Sequence, residues 1–550
     1  MNPTSLDTFA LVAPEIVLVV AALVAYLGGA FAGLRHGWLV AAAGIVAAML
    51  AIRGQAGEAA SSVVAVDAFS GFIRWTVLAL GLLLALVQSG DLFAAAVSRG
   101  PGLHRGGTCE EAGTYLLLLA GLSLVGVAGD LVLLFAGLEL VSIPTYILLG
   151  LKRTDARGQE ASIKYFFLSL VASAIFLYAL VCLYGLAGST DLQAIATRLR
   201  SPDAATNRGV QVLLPLAAGL AVVGAAFRLA AVPMHFYAPD VYEGTSPGNA
   251  ALLSTLPKVA GVVVLARLVA IIGSGASPEA FWRVTVVVAA VTMTVGNVMA
   301  LWQRNLRRLL ACSSIAHAGY LLVGIGVAAA SGVPAAGDAS WLFAAGGLSA
   351  TLFYLATYAL ATIGVFGAIA YLGHRWPEWA VGSGPRPPRE EIAVVDDLDG
   401  LSATNPVAAL AIAVFLLSLA GIPPLPGFWG KLALATSALE VDWNAAITPG
   451  SRRAWFVGLA VVLVLNAAIA AAYYLRIVAA MYFKSTKRGV QADGGLAAGV
   501  AMLACLALVG MLTIQPRGLF TAASRAGESL LPRATATAMA HAPDAIKAAP

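Results

Sequence analysis

A chain of 550 residues that is 60% hydrophobic and 11% charged carries less than half of the ~25% charge that clothes a soluble globule. Water-soluble fold classes are excluded, and at ~20 apolar residues per crossing there is room for up to about sixteen membrane helices. The net charge of +5 comes without a basic run longer than two residues, so it points to orientation in a lipid bilayer and not to nucleic acid.

Apolar stretches bounded by Gly, Pro and charge predict about fourteen helices. Helices 1–3 cover 10–30, 38–52 and 69–89. No small-residue cleavage site precedes the first, which contains Pro14 and Glu15 and is expected to be retained in the mature chain. Helices 4 and 5 form a close pair, 113–128 and 131–150, followed by helices 6–8 at 161–187, 211–238 and 249–272. Helices 9–14 cover 282–301, 307–330, 341–372, 404–438, 454–482 and 494–514. The expected fold is an all-α polytopic membrane protein. Its expected divisions are helices 1–3 (1–110), a first repeat of helices 4–8 (111–275), a second of helices 9–13 (276–485), and helix 14 with a polar tail (486–550).

Between the helices, 373–403 contains VGSGPRPPREE and DDLD and is expected to be a solvated connector. The Ala-rich tail after about 522 shows no strong period and is expected to fray. Placing Lys and Arg on alternate loops gives fifteen on one side and seven on the other when the N-terminus is outside. The positive-inside rule then puts both termini on the outer side. Cys109, Cys182, Cys312 and Cys505 lie far apart without a CxxC pair, so no metal or redox disulfide is expected. Gly324 and Gly326 sit in an apolar helix, not in a strand-turn-helix nucleotide fingerprint.

Seven basic residues fall inside predicted helices: Arg74, Lys164, Arg228, Lys258, Arg267, Lys431 and Arg476. An ionisable group at bilayer depth costs at least ~2.5–3.5 kcal/mol, so one that persists faces protein or water. Arg74, Arg267 and Arg476 can be explained by snorkelling or by a bond to a neighbouring carbonyl. Lys164, Arg228, Lys258 and Lys431 lie near mid-segment or beside a helix breaker, which favours a role in ion movement. Glu139, inside helix 5, would take up a proton if buried alone and ionise beside a cation. A static salt bridge there is the structural alternative. His317 titrates near neutrality and is a relay candidate, against the alternative of a histidine that merely bonds a carbonyl.

Two helices are expected to break. Pro233 and Pro239 interrupt helix 7 in FRLAAVPMHFYAPDVYEGTSPG, and three prolines with the glycines around them crowd helix 12 in LSLAGIPPLPGFWGKLAL. Unpaired carbonyls at mid-membrane are tolerated only around a protein-lined or watery cavity. Breaks at corresponding places in two halves suggest an inverted repeat, as in secondary transporters.

These segments resemble the antiporter-like membrane subunits of respiratory complex I (NADH-quinone oxidoreductase), and most closely the subunit N family. The resemblance rests on VDAFSGF, LELVSIPTYILLG, EASIKYF, VPMHFYAPDVYEGTSP, SSIAHAGYLL and SLAGIPPLPGFWGKL taken together. In the related subunit M a glutamate usually stands where this chain has Lys431, and subunit L is longer. The resemblance implies proton translocation with Glu139, Arg228, Lys258 and Lys431 in sequence, and Lys164 and His317 as auxiliary relays. The family commonly has Lys in place of Arg228. A guanidinium hardly releases a proton, so Arg228 is expected to act as a fixed counter-charge to Glu139.

The resemblance further implies a bacterial inner-membrane location and partners that include subunit M and the small membrane subunits. NADH, FMN, iron–sulfur clusters and quinone would be bound on partner subunits, with no cofactor on this chain. A stand-alone or Mrp-type cation/proton antiporter shares the broken helices and the lysine row, and is the main alternative. A purely structural scaffold would leave the mid-membrane cations unexplained.

Overall fold

Backbone amides in hydrocarbon must find partners within their own segment, so apolar runs of membrane length fold as helices. The computed structural model shows this throughout the described residues, 5–55, 59–61, 63–98, 107–152, 155–204, 206–272, 279–331, 346–375, 390–485, 490–492 and 494–530. The first half contains α1 Ser5–Leu11, α2 Ala13–Phe31, α3 Gly37–Gly54, α4 Ala68–Ser98, α5 Gly107–Val127, α6 Leu131–Lys152, α7 Ala156–Ala187, α8 Leu192–Arg200, α9 Arg208–Leu229, α10 Ala238–Gly244 and α11 Pro247–Ile272. The second contains α12 Glu279–Trp302, α13 Leu306–Ser331, α14 Gly347–Leu372, α15 Leu401–Thr404, α16 Pro406–Ala420, α17 Pro426–Glu440, α18 Arg452–Phe483, α19 Leu496–Ile514 and α20 Arg517–Leu530.

Thirteen of the described helices are long and apolar enough to cross a membrane. The broken pair α16 and α17 has 15 residues in each part, and the fold is the expected all-α polytopic one. The central helices α11, α13 and α14 are almost wholly buried, whereas α2, α18 and α19 present most of their surface outward. Leu170, Tyr178 and Val181 of α7 form part of such an outward apolar face.

Helix 7 ends at Leu229 and resumes at Ala238; helix 12 ends at Ala420 and resumes at Pro426. Both first halves close with a left-handed residue, Ala230 at φ 56° and Gly421 at φ 86°. The helix carrying Lys164 starts at Ala156 behind an Asp155 N-cap, five residues before the expected 161, which puts Lys164 in the third turn of the helix where the expected span had it in the first.

Two expectations are corrected. Part of 373–403 is folded: β3 Gly373–Arg375 pairs with both β4 Glu390–Glu391 and β5 Val490–Ala492, in a sheet separate from the hairpin of β1 Ala59–Ala60 with β2 Ala65–Val66. Asp397 is buried and accepts from the amides of Ala393 and Val394, each at 2.9 Å. Nearby, hydrogen bonds to Asp396 and Asp399 raise the Lys484 ammonium above its usual value. The start of the tail does not fray either. α20 buries Phe520, Ala523, Ala526 and Gly527, with Phe520 5.3 Å from the Phe353 ring of α14. The expected tail beyond Leu530 lies outside the described residues.

Candidate functional site

A helix that stops inside a bilayer leaves its last carbonyls without amide partners and exposes the negative end of its dipole. Each broken helix answers this with a lysine. Lys258 of α11, fully buried, donates to the Leu229 carbonyl at the end of α9 at 2.5 Å, and to the Ser314 carbonyl of α13 at 2.7 Å. Lys431 of α17 turns back to the end of α16 and donates to Leu419 at 2.8 Å and Ala420 at 2.9 Å. A cation at a helix C-terminus gains about 0.3–1 kcal/mol, and up to ~2 when partly buried. Gly421 is required here twice over: its backbone is left-handed, and a Cβ would stand 2.9 Å from Lys431 Cδ.

Glu139 and Arg228 are brought together as expected. Arg228 Nη2 lies 3.2 Å from Glu139 Oε1, while its Nη1 donates to Ser142 Oγ at 2.6 Å and to the Leu138 carbonyl at 3.2 Å. The same Glu139 oxygen accepts from Ser173 Oγ at 2.6 Å. Glu139 is 29% exposed and Arg228 6%.

His317 of α13 stands between the two lysines. Its Nδ1 is 2.6 Å from Tyr354 Oη and its Nε2 2.9 Å from Tyr474 Oη. Toward Lys258, the Tyr358 ring lies 4.8 Å from the imidazole, with Lys258 Nζ 5.9 Å from the same ring. Tyr358 Oη is also 2.9 Å from Ser314 Oγ. Toward Lys431, the Tyr320 ring lies 5.7 Å from His317 and carries Lys431 Nζ 4.7 Å from its centre. Hydroxyls, an imidazole and two amines thus gather in one buried cluster between the two breaks. The tyrosines were not singled out in the sequence, since an aromatic in an apolar helix looks the same whether it packs or relays.

Lys164 is placed elsewhere. It is 39% exposed and pairs with Glu160 at 2.6 Å and with Asp240 of α10 at 2.8 Å. The other three arginines of the predicted helices have bonded partners, Arg74 and Arg267 buried and Arg476 exposed. Arg74 forks onto Glu15 at 2.9 and 2.8 Å, Arg267 donates to the Gly126 carbonyl, and Arg476 donates to Leu301 and Gln303 at the end of α12. Among the described residues no group of three or more His, Cys, Asp or Glu could hold a metal.

Residues 128–456 match the family described as NADH:quinone oxidoreductase/Mrp antiporter, transmembrane. The chain is similar to NADH-quinone oxidoreductase subunit N of Desulfovibrio desulfuricans, 34% identical over 92% of this chain and 94% of the relative. It is similar also to subunit N 1 of Acidiphilium cryptum, 32% identical over 96% and 99%. A chain of respiratory complex I from Thermus thermophilus superposes with a TM-score of 0.70 at 27% identity, covering 94% of this chain and 99% of that one. A chain of the Mrp complex from Dietzia sp. reaches a TM-score of 0.70 at 22% identity, over 94% and 97%, a likeness of fold alone. On these matches the chain belongs to the NADH-quinone oxidoreductase subunit N family of antiporter-like membrane proteins.

Proposed function

We propose that this chain is a proton-translocating membrane subunit of NADH:quinone oxidoreductase, and that the proton passes over Lys258, His317 and Lys431 under control of the Glu139–Arg228 pair. Electron transfer from NADH to quinone takes place on partner subunits. The observation that carries the residue assignment is the shared design of the two breaks: each lysine ammonium rests on orphaned helix-end carbonyls, and His317 with its tyrosines fills the space between. Carbonyl cradles hold an ammonium by several bonds but supply no full negative charge. A change in the local field, such as separation of Glu139 from Arg228, can therefore tip the lysine between charged and neutral forms. Arg228 stays charged throughout and acts as the counter-charge; Lys164 lies nearer the helix start, where it meets water first.

The division into 1–110, 111–275, 276–485 and 486–550 follows from the same reading. It treats α5–α11 and α12–α18 as corresponding halves related by inversion, since each has its break in the fourth crossing. Both termini are assigned to the outer side of a bacterial inner membrane on the basic-residue bias of the loops. Neighbours in the membrane are other membrane subunits of the same enzyme and lipid.

The test is NADH-driven proton uptake in membrane vesicles carrying Lys258→Ala or Lys431→Ala. Uptake is expected to fall several-fold in both while the enzyme still assembles. Unchanged uptake in both variants would reject the assignment, and sodium efflux from a preparation without a flavin-bearing arm would instead favour an Mrp-type antiporter.

A further inference from the structure

A cluster of charged side chains outside this route gathers on α10, the short second half of helix 7. Seven residues long and preceded by an unwound stretch, α10 is not held in place by helix continuity. Its fastening comes from neighbouring side chains. Asp240 Oδ2 takes a bond from Lys164 Nζ of α7 at 2.8 Å, and Asp240 Oδ1 one from Arg308 Nη1 of α13 at 2.8 Å. Arg308 Nη1 also reaches Glu243 Oε2 at 2.8 Å, and Asn305 Nδ2 donates to Glu243 Oε1 at 3.2 Å. Just past the helix end, Arg307 Nη1 donates to the Thr245 carbonyl at 2.7 Å. The fit against α7 is close: a Cβ on Gly244 would lie 2.7 Å from Ala161 Cβ and 2.8 Å from the Arg157 carbonyl oxygen.

The opposite side of α10 faces inward. Tyr242 is buried, and its Oη lies 3.3 Å from Ser314 Oγ. The carbonyl of that same Ser314 receives Lys258 Nζ. One short helix therefore joins a partly exposed charge cluster on the basic-rich face to the groups that hold the central lysine. Each ion pair in the cluster is partly exposed and weak by itself, so the clamp depends on Asp240 being shared between two cations from two helices.

We propose that Asp240 is a positioning residue: clamped between Lys164 and Arg308, it holds α10 shut over Lys258, and release of the clamp withdraws Tyr242 from Ser314 and admits water from the basic face. This rests on the reading of Lys258 as a proton carrier.

The test uses the whole enzyme in liposomes, without NADH and with its quinone site inhibited, and measures passive proton leak from the decay of an imposed pH gradient. Asp240→Asn is expected to raise the leak several-fold, Arg308→Gln to do the same, and Arg308→Lys to keep it near the unaltered level. Adding Lys258→Met to Asp240→Asn should return the leak to baseline. Gly244→Ala, which pushes α10 off α7 without touching a charge, supplies an independent opening should Asp240→Asn fail to assemble. No added leak in an assembled Asp240→Asn or Gly244→Ala enzyme overturns the clamp. A leak that persists after Lys258→Met overturns the link to Lys258 and the carrier reading with it.

Discussion

The Glu15–Arg74 and Glu139–Arg228 pairs use the same two side chains in opposite ways. Arg74 spends Nε and Nη2 on both oxygens of Glu15, Nη1 on Gln55 Oε1 at 3.0 Å, and Nη2 again on the Leu11 carbonyl at 2.8 Å. Ser123 adds a further bond to Glu15, and both charged side chains are at most 3% exposed. Arg228 makes one 3.2 Å contact to a carboxylate that is 29% exposed, and gives its other nitrogen to neutral acceptors. A planar fork filled from both sides is a fixture, while a single long contact beside serine hydroxyls can open and close with little rearrangement. Burial of a charge in a membrane helix therefore does not by itself distinguish a strut from a moving part; the number and geometry of its bonds do.

The contrast can be broken most directly by removing each cation. Arg74→Ala strands a buried carboxylate and is expected to cost about 3–5 kcal/mol, read as loss of the assembled enzyme from membranes or a sharply lowered unfolding temperature. Arg228→Ala leaves Glu139 with its bond from Ser173, and should lower stability by about 1–3 kcal/mol at most. A larger thermal loss at 228 than at 74 would contradict the distinction. Glu139→Gln keeps the hydrogen bonds and deletes the charge, so assembly should persist while NADH-driven proton uptake falls several-fold. Exchanging the fork for a point charge sharpens the comparison further: Arg228→Lys should retain proton uptake, whereas Arg74→Lys should reduce assembly because one ammonium cannot replace two parallel bonds. Complete loss of uptake in an assembled Arg228→Lys enzyme would defeat the counter-charge role. The smallest effect is expected from Ser142→Ala, about 1 kcal/mol in thermal stability, from loss of one bond to Arg228.

Much of this arrangement was legible before any coordinates. Apolar length gives the crossings because hydrocarbon allows no other backbone, and Pro233, Pro239 and the Pro423 to Pro426 cluster mark the breaks because they delete donors. The cost of a charge in lipid picks out Lys258 and Lys431 for the same reason. What stayed hidden depends on contacts between distant segments. Tyr354, Tyr358 and Tyr474 acquire a role only because α13, α14 and α18 bring them to His317 and Ser314. Lys164 was grouped with the other three cations because it falls inside a predicted helix, but α7 has 32 residues, longer than a membrane requires, and its first turns emerge among charged groups. The pairing of β3 with β5 joins segments more than a hundred residues apart and leaves no local pattern. The stripe of α20 is built of Ala and Gly around one Phe, too weakly apolar to stand out from an Ala-rich tail.

That same α20 has a bearing on how the chain is made. The amide of Phe69, in the opening turn of α4, finds its acceptor in Ser529 Oγ at 2.9 Å, 460 residues further on. During synthesis α4 enters the bilayer long before that serine exists, and its end waits unfinished until nearly every other crossing has been threaded. A chain without the residues around Ser529 therefore leaves the first turn of its third crossing without this stopper.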